Sequence, residues 1–171
     1  MKKQLAALGV AASLLTLSGL ARADSELVAG LSGADEVPPV ATSAFGLARF
    51  DLNFTGSTLG INYELTAVNL PQAFMAHIHC GAAGANGPIA VWLAGSPGAP
   101  AGSGYDVNGT WIGNARFDGG NVVPGNGCGD TLEELLSPLF SGGMYVNIHT
   151  AANPGGELRG QIAPTGALTV P

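Results

Sequence analysis

Residues 49–66, RFDLNFTGSTLGINYELT, carry the clearest structural pattern of the chain. Phe50, Leu52 and Phe54 alternate with polar residues before a glycine-containing turn at residues 55–57, and the alternation resumes after it. Because successive side chains of a strand point to opposite faces, each run predicts a strand with one buried face. Two such runs joined by a short turn predict an antiparallel hairpin.

Short strand patterns recur along the rest of the chain. Further candidates lie at residues 26–31, 74–79, 89–93, 107–112, 144–149 and 157–162. The 27 glycines and 11 prolines supply the tight turns that many short strands require. One helix is also predicted, because Thr131 and Glu134 form a capping box ahead of leucines at helical spacing, and Pro138 limits it to about two turns. The pattern predicts an all-β sandwich or barrel with one short helix.

Residues 1–23 have the pattern of a secretory signal peptide. Two lysines precede an apolar stretch, and Ala21-Arg22-Ala23 is a small-x-small cleavage site. The competing interpretation is an uncleaved N-terminal anchor, since the apolar run is nearly long enough to span a bilayer. The small residues before Asp24 favour cleavage. We therefore predict an exported protein, periplasmic or secreted, in which residues 24–171 form a single domain.

Removal of this signal peptide leaves a strongly acidic protein. Three of the six basic residues lie in residues 1–23, whereas all 12 acidic residues lie beyond them, so the remaining chain has a formal net charge of −9. A surface without a basic patch disfavours phosphate backbones and anionic lipid as partners. We therefore expect no nucleic-acid binding and no membrane binding after signal cleavage, and we expect cations as small partners.

Cys80 and Cys128 are the only cysteines of the chain. In an oxidising compartment the default expectation is a disulfide between them. The alternative is that Cys80, which follows His79 directly, is a thiolate metal ligand.

The chain contains three histidines, and two of them, His77 and His79, stand one residue apart. On a strand they share the face opposite Ala76 and Ile78, with Cβ atoms roughly 6.5–7 Å apart. The pattern MYVNIH predicts a second strand, which His149 ends as His79 ends the first. His149 lies on the polar face of that strand, opposite Val146 and Ile148. If the two strands are neighbours, three imidazoles meet at one end of the sandwich.

Three converging imidazoles predict a transition-metal site formed by His77, His79 and His149. Copper is favoured, because imidazole nitrogen suits it and because it leads the Irving–Williams order, and zinc is the alternative. Three ligands leave an open position for water or substrate. Met75, on the same face, is either a weak axial ligand or a packing residue. The competing interpretation is that the histidines are solvated on an exposed strand face.

Three segments together resemble successive signatures of the CHRD (chordin-type) domain family. They are LSGADEVPPVATSAFGLARFDL (31–52), AHIHCGAAGANGPIAVWL (76–93) and LFSGGMYVNIHTAANPGGELRGQI (139–162). The resemblance covers about residues 27–162 and implies a single all-β domain, common in bacterial exported proteins and present in several copies in chordin. With the strand pattern, it leads us to expect a Greek-key antiparallel β-sandwich of the immunoglobulin or superoxide dismutase type.

The histidine motifs are also similar, more weakly, to those of the copper/zinc superoxide dismutase sandwich. There an H-x-H strand and a later histidine bind copper, which implies copper ligands at His77, His79 and His149. The zinc ligands and the bridging histidine of that family have no counterpart, because no other histidine exists in the chain. A net charge of −9 would also repel an anionic substrate such as superoxide. We therefore expect copper binding and leave enzymatic activity open.

Three further residues are candidates for positioning the imidazoles. Asn147 shares the polar strand face of His149. Glu157 and Arg159 share one face of the last strand, where they either pair with each other or orient an imidazole.

Two functional hypotheses follow from these motifs. The first is a metal-binding protein for metal handling or for redox chemistry at the open position. The second, which the chordin likeness implies, is an extracytoplasmic protein-interaction or matrix module in which the histidines are structural.

Overall fold

The computed structural model describes residues 26–95, 105–107 and 110–165. In these ranges the chain forms ten strands and one α-helix, α1 (Leu132–Phe140). The strands are β1 (Glu26–Ser32), β2 (Phe45–Thr55), β3 (Thr58–Val68), β4 (Ala73–Cys80), β5 (Ile89–Ala94), β6 (Tyr105–Val107), β7 (Thr110–Asp118), β8 (Met144–Thr150), β9 (Leu158–Gln161) and β10 (Ala163–Pro164).

The predicted hairpin is present as β2 and β3. The strands pair in antiparallel register from Phe45 opposite Val68 to Thr55 opposite Thr58. Gly56 makes the turn with a φ of 63°, a left-handed conformation that glycine adopts without steric cost. Phe50 and its cross-strand partner Tyr63 are buried, as the alternation requires.

All strands belong to one antiparallel sheet in the order β5-β4-β8-β9-β1-β2-β3-β7-β6, with β10 paired to β1. The half formed by β5, β4, β8 and β9 joins the other half at β1, which pairs with β9 at Ser32 and Arg159 and, in the same register, with β10. At the other side the sheet approaches itself again, because Val91 of β5 forms an isolated bridge with Val122, which lies shortly after β7. The predicted all-β antiparallel fold is confirmed, with two halves that are continuous rather than separate.

The core lies between the two halves of this curled sheet. Phe50 and Ile61 come from one half, and Ile78 and Ile148 from the other, all at most 1% exposed. Helix α1 covers part of this core with three buried leucines, Leu132, Leu135 and Leu139. The predicted capping box is also present, since the hydroxyl of Thr131 accepts from the Glu134 amide and the Glu134 carboxylate accepts from the Thr131 amide.

One strand prediction was wrong in its position. The single strand expected at residues 107–112 is two strands, β6 at Tyr105–Val107 and the longer β7 at Thr110–Asp118. Strand β7 reaches to Asp118 because it pairs with eight consecutive residues of β3, from Gly60 to Ala67, which its own polar segment GNAR does not reveal.

The predicted signal peptide, residues 1–23, lies outside the described residues. Within the described ranges, no helix has the length and apolar character needed to cross a membrane.

Candidate metal centre

The polar faces of β4 and β8 lie side by side on the outer side of the sheet. The register places His77 opposite Asn147 and His79 opposite Tyr145. Ala76, Ile78, Val146 and Ile148 point to the core and are fully buried. Strict alternation therefore sends the histidines to the opposite face, as the sequence predicts, and the same register places His149 opposite Met75, before it shifts between Met75 and Ala73.

The structure brings the three imidazoles together. One nitrogen of each ring lies within 4.8 Å of the corresponding nitrogens of the other two. The closest pair is Nδ1 of His77 and Nε2 of His149, which are 3.1 Å apart. His77 is 1% exposed and His149 is 7% exposed, so the cluster is buried rather than solvated.

Two backbone carbonyls fix the protonation of two of the rings. The Nδ1 of His79 lies 2.9 Å from the carbonyl oxygen of Gly87, and the Nδ1 of His149 lies 2.9 Å from that of Pro154. A carbonyl oxygen can only accept, so both Nδ1 atoms carry the hydrogen and donate it. The lone pair of each of these rings is therefore on Nε2, which faces the cluster.

The remaining nitrogens fit a metal ion. Nε2 of His79 is buried and has no hydrogen-bond partner among the described residues, and Nε2 of His149 faces Nδ1 of His77. A separation of 3.1 Å is what two nitrogens would show if each were about 2.05 Å from one ion with an angle of about 98° between them. His77 would then bind through Nδ1, and His79 and His149 through Nε2.

Burial keeps the three imidazoles neutral. Desolvation, together with the nearby rings of His149 and His79, lowers the pKa of His77 to about 3. Desolvation also lowers the pKa of His79 to about 4, although the hydrogen bond to Gly87 opposes this. The pKa of His149 is lowered by burial too, against its bond to Pro154. Because a metal needs the neutral ring, the site is in its binding form at neutral pH.

Arg159 holds the loop that carries Gly87. The guanidinium, 1% exposed, donates to the carbonyls of Ala82 and Ala85 and to the side chain of Asn86. It also lies 3.4 Å above the ring of Tyr145, which stacks on His79. Arg159 therefore helps to orient the ring of His79, through the loop that carries Gly87 and through the ring of Tyr145.

Glu157 holds the turn that carries Pro154. Its carboxylate accepts hydrogen bonds from Thr42, Thr150 and Asn153. Burial raises the pKa of this carboxyl, but the three hydrogen bonds outweigh that effect and the net pKa is lowered. Of the two alternatives for Glu157 and Arg159, the structure does not show the mutual pairing, because each side chain is engaged by a different loop.

Asn147 connects the histidine face to a residue that the sequence analysis missed. Its Nδ2 donates to Oε1 of Glu36 at 2.5 Å, across 111 residues of sequence. Gly156 makes this contact sterically feasible, since a Cβ there would lie 2.3 Å from Asn147 Nδ2 and 2.6 Å from Glu36 Oε1. The only sequence signal was the acid in ADEVPP, within a segment of the family resemblance.

The carboxyl of Glu36 is buried and titrates near neutral pH. Desolvation raises its pKa from 4.5 to about 7, against Arg159, the Val37 backbone and Asn147, which lower it, while Asp35 adds a smaller increase. Between pH 4.5 and 7, Glu36 is protonated in the folded state and ionised in the unfolded chain. The free energy of unfolding therefore falls as pH rises through this range.

We expect Glu36→Gln to remove this cost. The variant should gain stability relative to the wild type as pH rises from 5 to 8, by on the order of 2 kcal/mol, and should show no gain at pH 4. Urea unfolding at several pH values measures the difference. Asp35→Asn, at the exposed neighbouring acid, is the matched control; a pH-independent difference for Glu36→Gln would contradict the account.

Cys80 and Cys128 form a disulfide, with Cα atoms 5.6 Å apart. The bond ties the end of β4 to the segment before α1. Cys80 is therefore engaged in the predicted pairing and is not a thiolate ligand beside His79.

Comparison with known proteins agrees with this architecture. The model of the CHRD domain family matches residues 27–162, which include every strand except the first residue of β1 and the whole of β10. A search of curated proteins gives no match. On the strength of the family match, which spans well over half of its length, the chain belongs to the CHRD domain family.

Proposed function

We propose that this protein is an exported CHRD domain that holds a transition metal through His77, His79 and His149. The observation that carries the proposal is the convergence of one nitrogen from each ring within 4.8 Å. Two of these rings have their Nδ1 hydrogens committed to the carbonyls of Gly87 and Pro154, which places the lone pair of each ring on Nε2. Such prearranged neutral imidazoles are ligands for divalent first-row metals.

Copper is the metal that we favour, with zinc as the alternative. Neutral imidazole suits both ions, and the Irving–Williams order gives Cu²⁺ the higher affinity for the same ligands. The 3.1 Å separation of the two closest nitrogens lies between the distances of about 2.9 Å for a square-planar angle and about 3.3 Å for a tetrahedral one. Both geometries are therefore within reach of small side-chain adjustments.

The burial of the cluster favours metal handling over the turnover of a large substrate. The unpartnered Nε2 atoms of His77 and His79 are essentially inaccessible to solvent. A fourth ligand would have to be of the size of water or a diatomic molecule. When bound, copper would supply one-electron redox chemistry; the residues of the chain would hold the ion, keep the Nδ1 protons in place and exclude bulk water.

Export is supported by three observations. CHRD domains are extracellular modules. The disulfide between Cys80 and Cys128 is the kind of bond that persists in oxidising compartments. Residues 1–23 have the composition of a secretory signal peptide. We include both the periplasm and the exterior of the cell in this proposal.

A second candidate function is a protein-interaction or matrix module with structural histidines. The observation that favours it is aromatic packing around the cluster. His79 stacks on Tyr145 with ring centroids 4.9 Å apart, and His77 contacts Trp92 edge-on at 4.2 Å. On this view a histidine variant loses stability in the absence of any metal.

Metal stoichiometry separates the two functions. We expect the purified wild type to bind one equivalent of Cu²⁺, and His79→Ala to bind at least 100-fold more weakly, because one of three ligands is gone. Thr66→Ala, at an exposed position of β3, is the control and should keep one equivalent. Circular dichroism checks that each variant is folded.

Two results would argue against the metal proposal. One is equal copper uptake by the wild type and by His79→Ala. The other is a wild type that binds no copper or zinc while His79→Ala melts at a lower temperature in chelator, which would favour the structural module.

A further inference from the structure

A carboxyl group lies one hydrogen bond away from the histidine face. Glu36 is 6% exposed, and its Oε1 accepts from Nδ2 of Asn147. Asn147, 4% exposed, is the residue directly opposite His77 in the β4–β8 register, so Glu36 lies beside the strand face that carries the histidines. A glutamine could accept the same hydrogen bond without the cost of burying an ionisable group, which indicates a role for the acid itself.

The charged groups around Glu36 leave its proton free to respond to added positive charge. Arg159 on β9 is the cation that acts on it, but the guanidinium is committed to the loop of Ala82, Ala85 and Asn86. Asp35, on the same turn, opposes ionisation. The carboxylate of Glu157 is occupied by Thr42, Thr150 and Asn153.

A proton on Glu36 has a route to solvent. A surface cavity of about 430 Å³ is lined by Glu36 together with Asn86, Asn153, Pro154 and Gly156. The cavity borders the turn whose Pro154 carbonyl holds His149. Glu36 therefore borders a solvent-accessible cavity next to the turn that holds His149.

We propose that Glu36 is the charge-compensating residue of the histidine centre, and that it releases its proton through this cavity when a divalent ion binds to the three imidazoles. The inference rests on the proposed metal-binding function. When the ion enters the cluster, the O–H bond of the Glu36 carboxyl breaks and one proton leaves to solvent. The carboxylate that forms stays next to Asn147. His79 and His149 keep their Nδ1 hydrogens on the carbonyls of Gly87 and Pro154 throughout.

The burial of the site explains why metal binding would favour ionisation of Glu36. Three neutral ligands leave the full charge of the ion uncompensated in a region of low dielectric constant. A carboxylate that forms nearby lowers this charge, and the same coupling makes metal affinity depend on pH. Affinity should rise about tenfold from pH 6 to pH 8 through Glu36 alone.

Proton release during Zn²⁺ titration tests the inference, since zinc is redox-silent. In a pH-stat at pH 6.5 we expect wild-type protein comprising residues 24–171 to release roughly three quarters of a proton per zinc bound. Glu36→Gln should bind zinc with little proton release and should lose the tenfold pH dependence. Asp35→Asn, the matched control, should behave like the wild type.

Each alternative outcome has a distinct meaning. Equal proton release by Glu36→Gln and the wild type, with zinc bound to both, would overturn the role of Glu36 and leave the metal site intact; a zinc-bound water would then be the source. If the wild type takes up no zinc, the same proton count is made with Cu²⁺, and a wild type that takes up neither ion overturns both the metal proposal and this inference. If Glu36→Gln does not fold, the ¹³Cδ resonance of Glu36 in the wild type decides instead: it should move to the ionised position on zinc binding, and an unchanged resonance would overturn the inference.

Discussion

Replacing Gly87 with alanine is expected to destabilise the protein by about 3 kcal/mol or more and to weaken metal binding. A Cβ at Gly87 would lie 1.6 Å from the carbonyl oxygen of Cys80 and 2.7 Å from its carbonyl carbon. These atoms belong to the end of β4, where the Cys80 amide donates to Pro88, so they cannot move aside as a flexible side chain would. The loop must shift instead, and its carbonyl then no longer holds His79.

The lower stability and the weaker metal binding of Gly87→Ala can be measured independently. Urea unfolding in chelator gives the change in the free energy of unfolding, and a copper titration gives an affinity lower by 10- to 100-fold, as for other residues that orient ligands. Gly155→Ala is the matched control, because a Cβ there meets nothing within 4 Å and the backbone is not in the left-handed region. Wild-type stability in Gly87→Ala would show that this loop does not have the described geometry.

Removing the disulfide should produce the second large effect. The bond between Cys80 and Cys128 spans 48 positions of sequence, and the chain-entropy model assigns about 4 kcal/mol to a loop of that length. The double variant Cys80→Ser with Cys128→Ser should lose stability of that order. It should nevertheless bind one equivalent of copper, because β4 and β8 hold the histidines through their own hydrogen bonds.

We therefore expect this double variant to be less stable than the wild type and to bind copper as the wild type does. Differential scanning calorimetry measures the first, and metal analysis of the folded protein at low temperature measures the second. Wild-type protein with its disulfide reduced is the control for the serine substitutions. A folded double variant with no affinity for copper would show that the pairing of β4 with β8 does not by itself hold the histidines in place.

Features that depend on local periodicity were predictable from the sequence. The alternation in residues 49–66 gave the hairpin, and the capping box at Thr131 gave the helix. The same period of two put His77 and His79 on one face, and the repetition of that pattern before His149 indicated that the third ring belongs with them. Each of these inferences uses only residues that are close in sequence.

Features that depend on contacts between distant segments were not predictable. Glu36 reaches Asn147 across 111 residues, and nothing in its local sequence separates it from an ordinary surface acid. Arg159 and Glu157 share a strand pattern, yet two different loops engage them, so the two side chains do not pair with each other. The carbonyls of Gly87 and Pro154 orient the rings through the backbone, and backbone groups carry no residue-specific signal.

Anomalous diffraction from crystals of the copper-loaded protein, recorded at the copper edge, tests the central claim most directly. The claim is that His77, His79 and His149 form one metal site. The account predicts a single strong peak about 2.0–2.1 Å from Nδ1 of His77, Nε2 of His79 and Nε2 of His149. Copper bound at full occupancy elsewhere, with the three rings unchanged and no peak between them, would contradict it.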